Sequence, residues 1–157
     1  MEVKKALTAE FIGTFALIYI GAGAGALGVG GLVGVALAHG LVIVAFAYAY
    51  GHHSGTHINP AVTFGMMVAR EMSLADAIRY WVVQFAGATL AALALSATIP
   101  GSGVTGIGAT TFDAASVTTS QALLIEAILT FFLVNTIMNT AVSGKAGNLA
   151  GLAIGLT

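Results

Sequence analysis

Charged residues, cysteines and prolines are all scarce in this chain of 157 residues. Lys and Arg together number five and Asp and Glu six, whereas a soluble domain carries about a quarter of its residues as charges. This shortage excludes a soluble globular enzyme and a disordered chain, and the lack of a basic patch excludes a nucleic-acid binder. Cysteine is absent, so disulfides and thiolate metal sites are excluded. Hydrophobic residues make up 58% of the chain, with 21 glycines and only two prolines, a composition typical of closely packed membrane helices. We therefore expect one all-α integral membrane domain over residues 1–157.

Four apolar runs are long enough to cross a membrane as helices, which takes about 20 residues each. They are Ala6–Leu27, Gly31–Gly51, Ile78–Ile99 and Gln121–Val142. A fifth run begins near Leu149 and is still apolar at Thr157. A helix over those residues would rise only about 14 Å, too little to cross the hydrocarbon core. We therefore expect the bundle to be truncated in its fifth span.

The few positive charges predict the orientation of these spans. If the N-terminus is cytoplasmic, every Lys and Arg falls on the cytoplasmic side, and the connections Gly28–Gly30 and Pro100–Thr119 carry none. The residues concerned are Lys4, Lys5, Arg70, Arg79 and Lys145. By the positive-inside rule we expect a multi-pass protein of the cell membrane with its N-terminus in the cytoplasm.

Two pairs of segments recur at nearly equal offsets. Ala9–Phe15 and Ile125–Phe131 share Glu, Thr and Phe at an offset of 116, as from Glu10 to Glu126. Leu32–Ala38 and Leu149–Gly155 share Leu, Gly and Ala at an offset of 117, as from Gly34 to Gly151. Because the first and fourth spans run in opposite directions, the repeat is inverted, with three spans per half. We place the first repeat at about residues 1–99 and the incomplete second repeat at about 118–157.

A polar segment between the second and third spans predicts a short helix. Asn59 is a favoured N-cap and Pro60 is pre-set for the first helical position. A helix over Pro60–Arg70 would be about 16 Å long, half a membrane. Such a re-entrant half-helix is stable at membrane depth only when it is buried in protein or lines a wet cavity. The alternative is a short helix on the cytoplasmic surface.

The segment Ser54–Thr63 reads Ser-Gly-Thr-His-Ile-Asn-Pro-Ala-Val-Thr and resembles the first signature loop of the aquaporin (major intrinsic protein) family. Glu10 in the first span, Gln84 in the third and Glu126 in the fourth also match the family's positions, so the resemblance covers the whole chain. It implies an inverted-repeat bundle in which two half-helices meet at mid-membrane, assembled as a homotetramer. It also implies a channel without enzyme activity, cofactor or resident metal.

The resemblance further assigns roles along a pore. Asn59 would donate its side-chain N–H to the passing molecule, within the signature completed by Pro60 and Ala61. Backbone carbonyls would form a ladder of acceptors leading to it, from Gly55, Thr56, His57 and Ile58. Three side chains would form the apolar wall, namely Leu17, Ile43 and Leu133. Glu10, Gln84 and Glu126 would support the pore loops by holding their backbone N–H groups.

The position that supplies the narrowest constriction from the second span in this family holds His39 here. The polar ring resembles the pattern of plant vacuolar members. We therefore predict a polar filter that passes water, with ammonia or hydrogen peroxide, rather than an apolar constriction that passes glycerol. The other interpretation of His39 is a buried polar residue bonded to a neighbouring carbonyl. The second Asn-Pro-Ala motif and the arginine that follows it would lie beyond Thr157, so the exact solute stays open.

Other interpretations of the polar residues lead to other functions. Glu10 and Glu126 could serve a proton-coupled secondary transporter, and a glycerol-type facilitator is a further alternative. The run Gly23–Gly28 matches a dinucleotide-binding fingerprint but lacks the later acidic residue, so we interpret it as helix packing. His53 and His57 have ligand spacing, but Ser54 and Gly55 interrupt a helix there, and we predict no metal site. The expected partners are water, small neutral solutes and membrane lipid, with no nucleic acid.

Overall fold

The computed structural model describes residues 3–28, 30–99 and 107–157, and within these ranges every regular element is a helix. Four helices are long and apolar enough to cross a membrane: span 1 (Val3–Leu27), span 2 (Gly31–Ser54), span 3 (Leu74–Thr98) and span 4 (Thr119–Val142). Three of the four predicted apolar runs fall within one of them and the run Ile78–Ile99 extends one residue past span 3, so the all-α membrane fold is confirmed. Residues 100–106 of the predicted outer loop Pro100–Thr119 lie outside the described residues.

Two shorter helices complete the bundle. The half-helix (Pro60–Val68) follows span 2, and the C-terminal helix (Gly147–Leu156) follows span 4. The half-helix ends two residues before the predicted Arg70, which has a left-handed backbone with a φ of 65°. Glycines end spans 1 and 2 in the same way, because Gly28 and Gly55 adopt φ angles of 63° and 80° that residues with a Cβ rarely adopt.

Spans 1 and 3 pack closely because a glycine lies where they cross. The buried residues of span 3 recur every three or four positions, the period of one helix face: Ala77, Tyr80, Gln84, Gly87, Ala91 and Leu95. A Cβ at Gly87 would lie 2.5 Å from the carbonyl oxygen of Phe11 and 3.3 Å from the amide nitrogen of Phe15. The absence of a side chain at Gly87 therefore sets the distance between the two backbones.

The C-terminal helix packs against span 2 through small residues, as the sequence pattern predicts. Gly40 and Gly155 lie with their backbones in contact, and Gly151 lies against Ala47. The spacing of Gly147, Gly151 and Gly155 predicts close helix packing for all three. The prediction was wrong for Gly147, where an added Cβ would meet nothing within 4 Å. Its φ of 50° shows instead that this glycine provides a left-handed turn at the start of the helix.

The half-helix lies inside the bundle rather than on its surface. Its residues Val62, Thr63 and Met66 are buried, and Gly65 lies against Val134 of span 4. The loop before it reaches far into the bundle, because Ile58 packs against Gly13 near the middle of span 1, a glycine that Phe46 of span 2 also adjoins. The re-entrant interpretation therefore describes this segment, and the surface-helix alternative does not.

Spans 1 and 4 share a local irregularity. Span 1 contains a π-helical turn at Leu17–Ala22 and span 4 contains one at Met138–Val142, each in the second half of its span. A π-helical turn inserts an extra residue and widens the helix, and such turns occur often at functional sites. At the repeat offset of 116 the turn of span 1 corresponds to residues 133–138, so the two turns overlap only at Met138 and the repeat relation stays a prediction.

The crossing of spans 1 and 3 generates a stability prediction. Replacing Gly87 by Ala should lower the free energy of unfolding by roughly 1–3 kcal/mol, the usual cost of overpacking, because the methyl group meets backbone atoms that cannot rotate away. The measurement is the thermal unfolding midpoint in detergent. Gly25→Ala is the control, since its Cβ would meet no atom closer than 3.8 Å. Equal midpoints for the two variants would contradict the predicted close approach.

Candidate functional site

The carboxylate of Glu10 lies at the centre of the site. It is fully buried, with 0% of its surface exposed. Its Oε1 accepts hydrogen bonds from the backbone N–H of His57 at 2.9 Å and the hydroxyl of Ser54 at 2.7 Å. Its Oε2 accepts from the N–H of Ile58 at 2.6 Å and from Nε2 of Gln84 at 2.8 Å. Four donors thus compensate the burial of one carboxylate, which would otherwise be prohibitively costly.

The loop between span 2 and the half-helix takes an unusual backbone path. Thr56 and Ile58 have φ angles of 50° and 41°, which residues with a Cβ rarely adopt, and Gly55 has a φ of 80°. Such strained conformations persist only where the surroundings enforce them. Here the N–H groups of the loop bind Glu10 and the hydroxyl of Ser54. Among the described residues no donor contacts the carbonyl oxygens from Gly55 to Ile58, so all four remain available as acceptors.

Side chains of span 3 hold the loop from the side opposite span 2. The hydroxyl of Tyr80 donates to the carbonyl of Ser54 at 2.9 Å, and the indole of Trp81 donates to the carbonyl of Pro60 at 3.0 Å. Gln84 Nε2 also donates to Thr63 Oγ1 at 2.9 Å. The Thr63 hydroxyl also lies 3.1 Å from Nδ1 of His57.

Sequence analysis did not identify Tyr80 or Trp81 as part of this site, and it placed Ser54 and Thr63 in the signature segment without giving either residue a role. A signal for Tyr80 was present, because it lies one turn before Gln84 on the buried face of span 3. The roles of Ser54 and Thr63 depend on the fold of the loop, which the segment by itself does not specify.

Asn59 is the N-cap of the half-helix, as predicted. Its Oδ1 accepts a hydrogen bond from the N–H of Ala61 at 2.8 Å, and Pro60 is the first helical residue. Because the oxygen is occupied, the Nδ2 amide is left with two donor hydrogens, and it has no partner among the described residues. The helix N-terminus adds a partial positive charge at the same point.

Two cavities lie on either side of this tip. The Asn59 cavity, of about 370 Å³, is lined by Asn59 together with His39, Ile43, Glu126 and Leu133, among others. The His57 cavity, of about 400 Å³, is lined by Gly55 and His57 on one side and by residues of span 4 and the C-terminal helix on the other. Ile154 of the C-terminal helix lines both cavities, so the two cavities are neighbours along this helix.

The structure brings most of the predicted pore residues to these cavities. His39, Ile43, Asn59 and Leu133 lie around the same space. Leu17 is half-buried in the π-helical turn of span 1 and is not among the residues that line either cavity. Its predicted place in the apolar wall therefore has no support from the cavity geometry.

Glu126 differs from Glu10 although the two occupy equivalent repeat positions. It is exposed and accepts no hydrogen bond within the described part of the chain, but it does line the Asn59 cavity. Its predicted role in holding a second pore loop stays a prediction.

His39 combines the two interpretations that the sequence left open. Its Nδ1 lies 2.9 Å from the carbonyl oxygen of Val35, one turn earlier in span 2. The ring also lies at the wall of the Asn59 cavity. His39 is thus bonded to a neighbouring carbonyl and borders the cavity at the same time.

The buried carboxylate generates a prediction about the loop. Glu10→Gln should lower the free energy of unfolding by about 1.5–3 kcal/mol for each charged hydrogen bond lost, because an amide nitrogen cannot accept from backbone N–H groups. The same change should raise hydrogen–deuterium exchange at the amides of His57 and Ile58. Glu71→Gln is the control, since Glu71 is exposed. Unchanged exchange in Glu10→Gln would contradict the anchoring role.

Comparison with known proteins identifies the family. The sequence profile described as Major intrinsic protein matches residues 1–157. The chain is 38% identical over 153 residues to Glycerol uptake facilitator protein-like 6 of Lactiplantibacillus plantarum, covering 95% of this chain and 69% of that protein. It is 35% identical to Aquaporin TIP2-1 of Zea mays, with 95% and 62% covered, and 36% identical to Aquaporin AqpM of Methanothermobacter thermautotrophicus, with 100% and 74% covered. The chain therefore spans roughly two thirds of the length of its relatives. The buried carboxylate, the capped half-helix and these similarities lead to one conclusion: the chain belongs to the major intrinsic protein family of membrane channels.

Proposed function

We propose that this chain forms a passive channel for water and small neutral solutes, which pass the tip of the half-helix in single file. One observation carries the proposal: the Nδ2 amide of Asn59 has no partner within the described part of the chain, and Asn59 lines the Asn59 cavity. A free donor pair at that point can bind a solute oxygen or nitrogen without any covalent step.

The arrangement of polar groups supports rapid passage. Among the described residues the carbonyls from Gly55 to Ile58 accept no hydrogen bond, and Gly55 and His57 line the His57 cavity, where they can supply acceptors. Asn59 supplies donors in the Asn59 cavity. Ile43 and Leu133 supply apolar surface in the Asn59 cavity. A solute in such a passage replaces only part of its hydration shell, so it binds weakly enough to leave again. The positive end of the half-helix disfavours cations, including hydronium.

The position of charged residues supports a multi-pass orientation with a cytoplasmic N-terminus. The start of span 1 and the connection before span 3 lie at one end of the bundle, because Val3, Glu71 and Arg79 line the same small cavity. This agrees with the rule that positively charged ends face the cytoplasm. We place the channel in the cell membrane, in contact with lipid, and the family resemblance supports assembly as a homotetramer.

The solute class follows from His39 and from the relatives. The polar ring of His39 in the wall of the Asn59 cavity favours small polar solutes, so we propose water together with ammonia or hydrogen peroxide. A glycerol-type facilitator is the second candidate, favoured by the 38% identity to a protein named as a glycerol uptake facilitator-like protein. Proton coupling has less support, because all hydrogen-bonding capacity found for Glu10 is directed to the loop and to Gln84.

The first functional prediction concerns Asn59. Asn59→Asp keeps a side-chain oxygen that caps the half-helix but removes both donors and adds a negative charge. It should reduce water permeability by about five- to tenfold, the loss of one hydrogen bond, and weaken the exclusion of cations. The measurement is stopped-flow swelling of proteoliposomes together with a pH-sensitive dye inside the vesicles. Asn148→Asp, at an exposed position, is the control.

The wild-type protein in the same assay separates a channel from a transporter. A channel should give fast swelling with a low activation energy and no proton movement. Saturable, proton-linked uptake would reject the channel in favour of the transporter.

The second functional prediction concerns His39. Replacing it by Phe removes the hydrogen-bonding nitrogens and should reduce ammonia flux roughly fivefold more than water flux, the equivalent of one hydrogen bond. Stopped-flow measurement of ammonia-driven pH change and of osmotic swelling on the same vesicles gives the ratio. Equal losses of the two fluxes would contradict a role in selecting the solute.

A further inference from the structure

The ring of His39 lies against a glycine in the π-helical turn of span 1. A Cβ at Gly21 would lie 2.5 Å from both Cδ2 and Nε2 of His39 and 2.9 Å from Cε1. Since Cβ atoms do not approach other atoms so closely, no residue with a side chain fits at position 21 while the ring keeps its place. Gly21 is buried, and the π-helical turn Leu17–Ala22 contains it. Together they form a slot that accepts one edge of the ring.

A hydrogen bond holds the ring in this slot. The Nδ1 atom lies 2.9 Å from the carbonyl oxygen of Val35. A carbonyl oxygen only accepts, so Nδ1 carries the proton and the neutral ring keeps Nε2 as its acceptor. The ring cannot leave Gly21 without breaking or distorting this bond. Two independent contacts therefore determine the rotamer of His39.

The slot also determines how the ring stands relative to the passage. His39 lines the Asn59 cavity, but no residue of span 1 does. The Cδ2–Nε2 edge of the ring therefore lies next to span 1, while the ring forms part of the cavity wall. A side chain at position 21 would push that edge in the opposite direction, into the cavity.

We propose that Gly21 is a positioning residue for solute selectivity: its missing side chain holds the His39 ring in the slot and thereby sets the free width of the Asn59 cavity. This inference rests on the proposed channel function, because the width of the cavity matters for selectivity only if solutes pass through it.

The test compares four variants in proteoliposomes: Gly21→Ala, Gly25→Ala, His39→Ala and the double variant Gly21→Ala/His39→Ala. Gly25 lies one turn further along span 1, and its Cβ would meet only ordinary contacts at 3.8 Å. Osmotic swelling reports water permeability, and swelling with urea or methylamine reports larger solutes. The measured quantity is the ratio of the larger solute to water.

Gly21→Ala should lower this ratio at least about twofold, because a side chain displaced from its rotamer and pushed into the passage obstructs larger solutes first. Gly25→Ala should keep the wild-type ratio. The double variant should recover at least the wild-type ratio, since no ring remains to be displaced. A Gly21→Ala ratio equal to that of wild type, or a lowered ratio that persists in the double variant, overturns the proposal.

Folding and spectroscopy still test the proposal if a variant does not fold or if the vesicles do not conduct. Should Gly21→Ala not fold, the double variant should fold, because removing the ring frees the space for the methyl group; failure of both overturns the proposal. In the ¹⁵N spectrum of histidine-labelled protein, the His39 ring should show the Nδ1–H tautomer, and Gly21→Ala but not Gly25→Ala should shift its signals. Should wild-type vesicles not conduct, the function proposed above fails, while this spectrum still confirms or rejects the positioning of His39 by Gly21.

Discussion

A single buried carboxylate organises the centre of this bundle. Glu10 carries its charge in a place without solvent, and it is stable there because four hydrogen-bond donors surround it. Two of those donors are backbone N–H groups of a loop that has no regular structure of its own. The N–H groups also need the carboxylate, because each unpaired N–H group at membrane depth would cost several kcal/mol.

The polarity of the loop follows from this arrangement. Since the N–H groups of His57 and Ile58 bind Glu10, the carbonyl oxygens around them are not consumed by a neighbouring strand or helix. The left-handed backbone at Thr56 and Ile58 is the conformational cost, and the contacts to Ser54, Tyr80 and Trp81 maintain it. A row of acceptors can then exist next to a helix N-terminus that supplies donors. The proposed conduction uses both the acceptors of the loop and the donors at the helix N-terminus.

Glycines determine the width of the site. Gly87 lets spans 1 and 3 approach until backbone atoms nearly touch, and this brings Glu10 and Gln84 within hydrogen-bond distance. Gly40 and Gly155 bring span 2 and the C-terminal helix together beside the Asn59 cavity. Gly21 accepts the His39 ring by the same principle, so a missing side chain on one helix positions a polar group on the next.

The sequence by itself determined the parts that depend on local chemistry. Apolar runs of sufficient length predicted the four spans, and Asn59 followed by Pro60 predicted the start of the half-helix, because capping and a fixed φ act over one or two residues. It also identified Glu10 and Gln84 as polar groups that must find partners inside the membrane. Only the tertiary structure decided which partners those are, that Tyr80 and Trp81 hold the loop, that Leu17 stays away from the cavities and that Gly147 makes a turn rather than a contact. The physical reason is that these outcomes depend on how distant helices cross and rotate, and spacing along one chain does not specify that geometry.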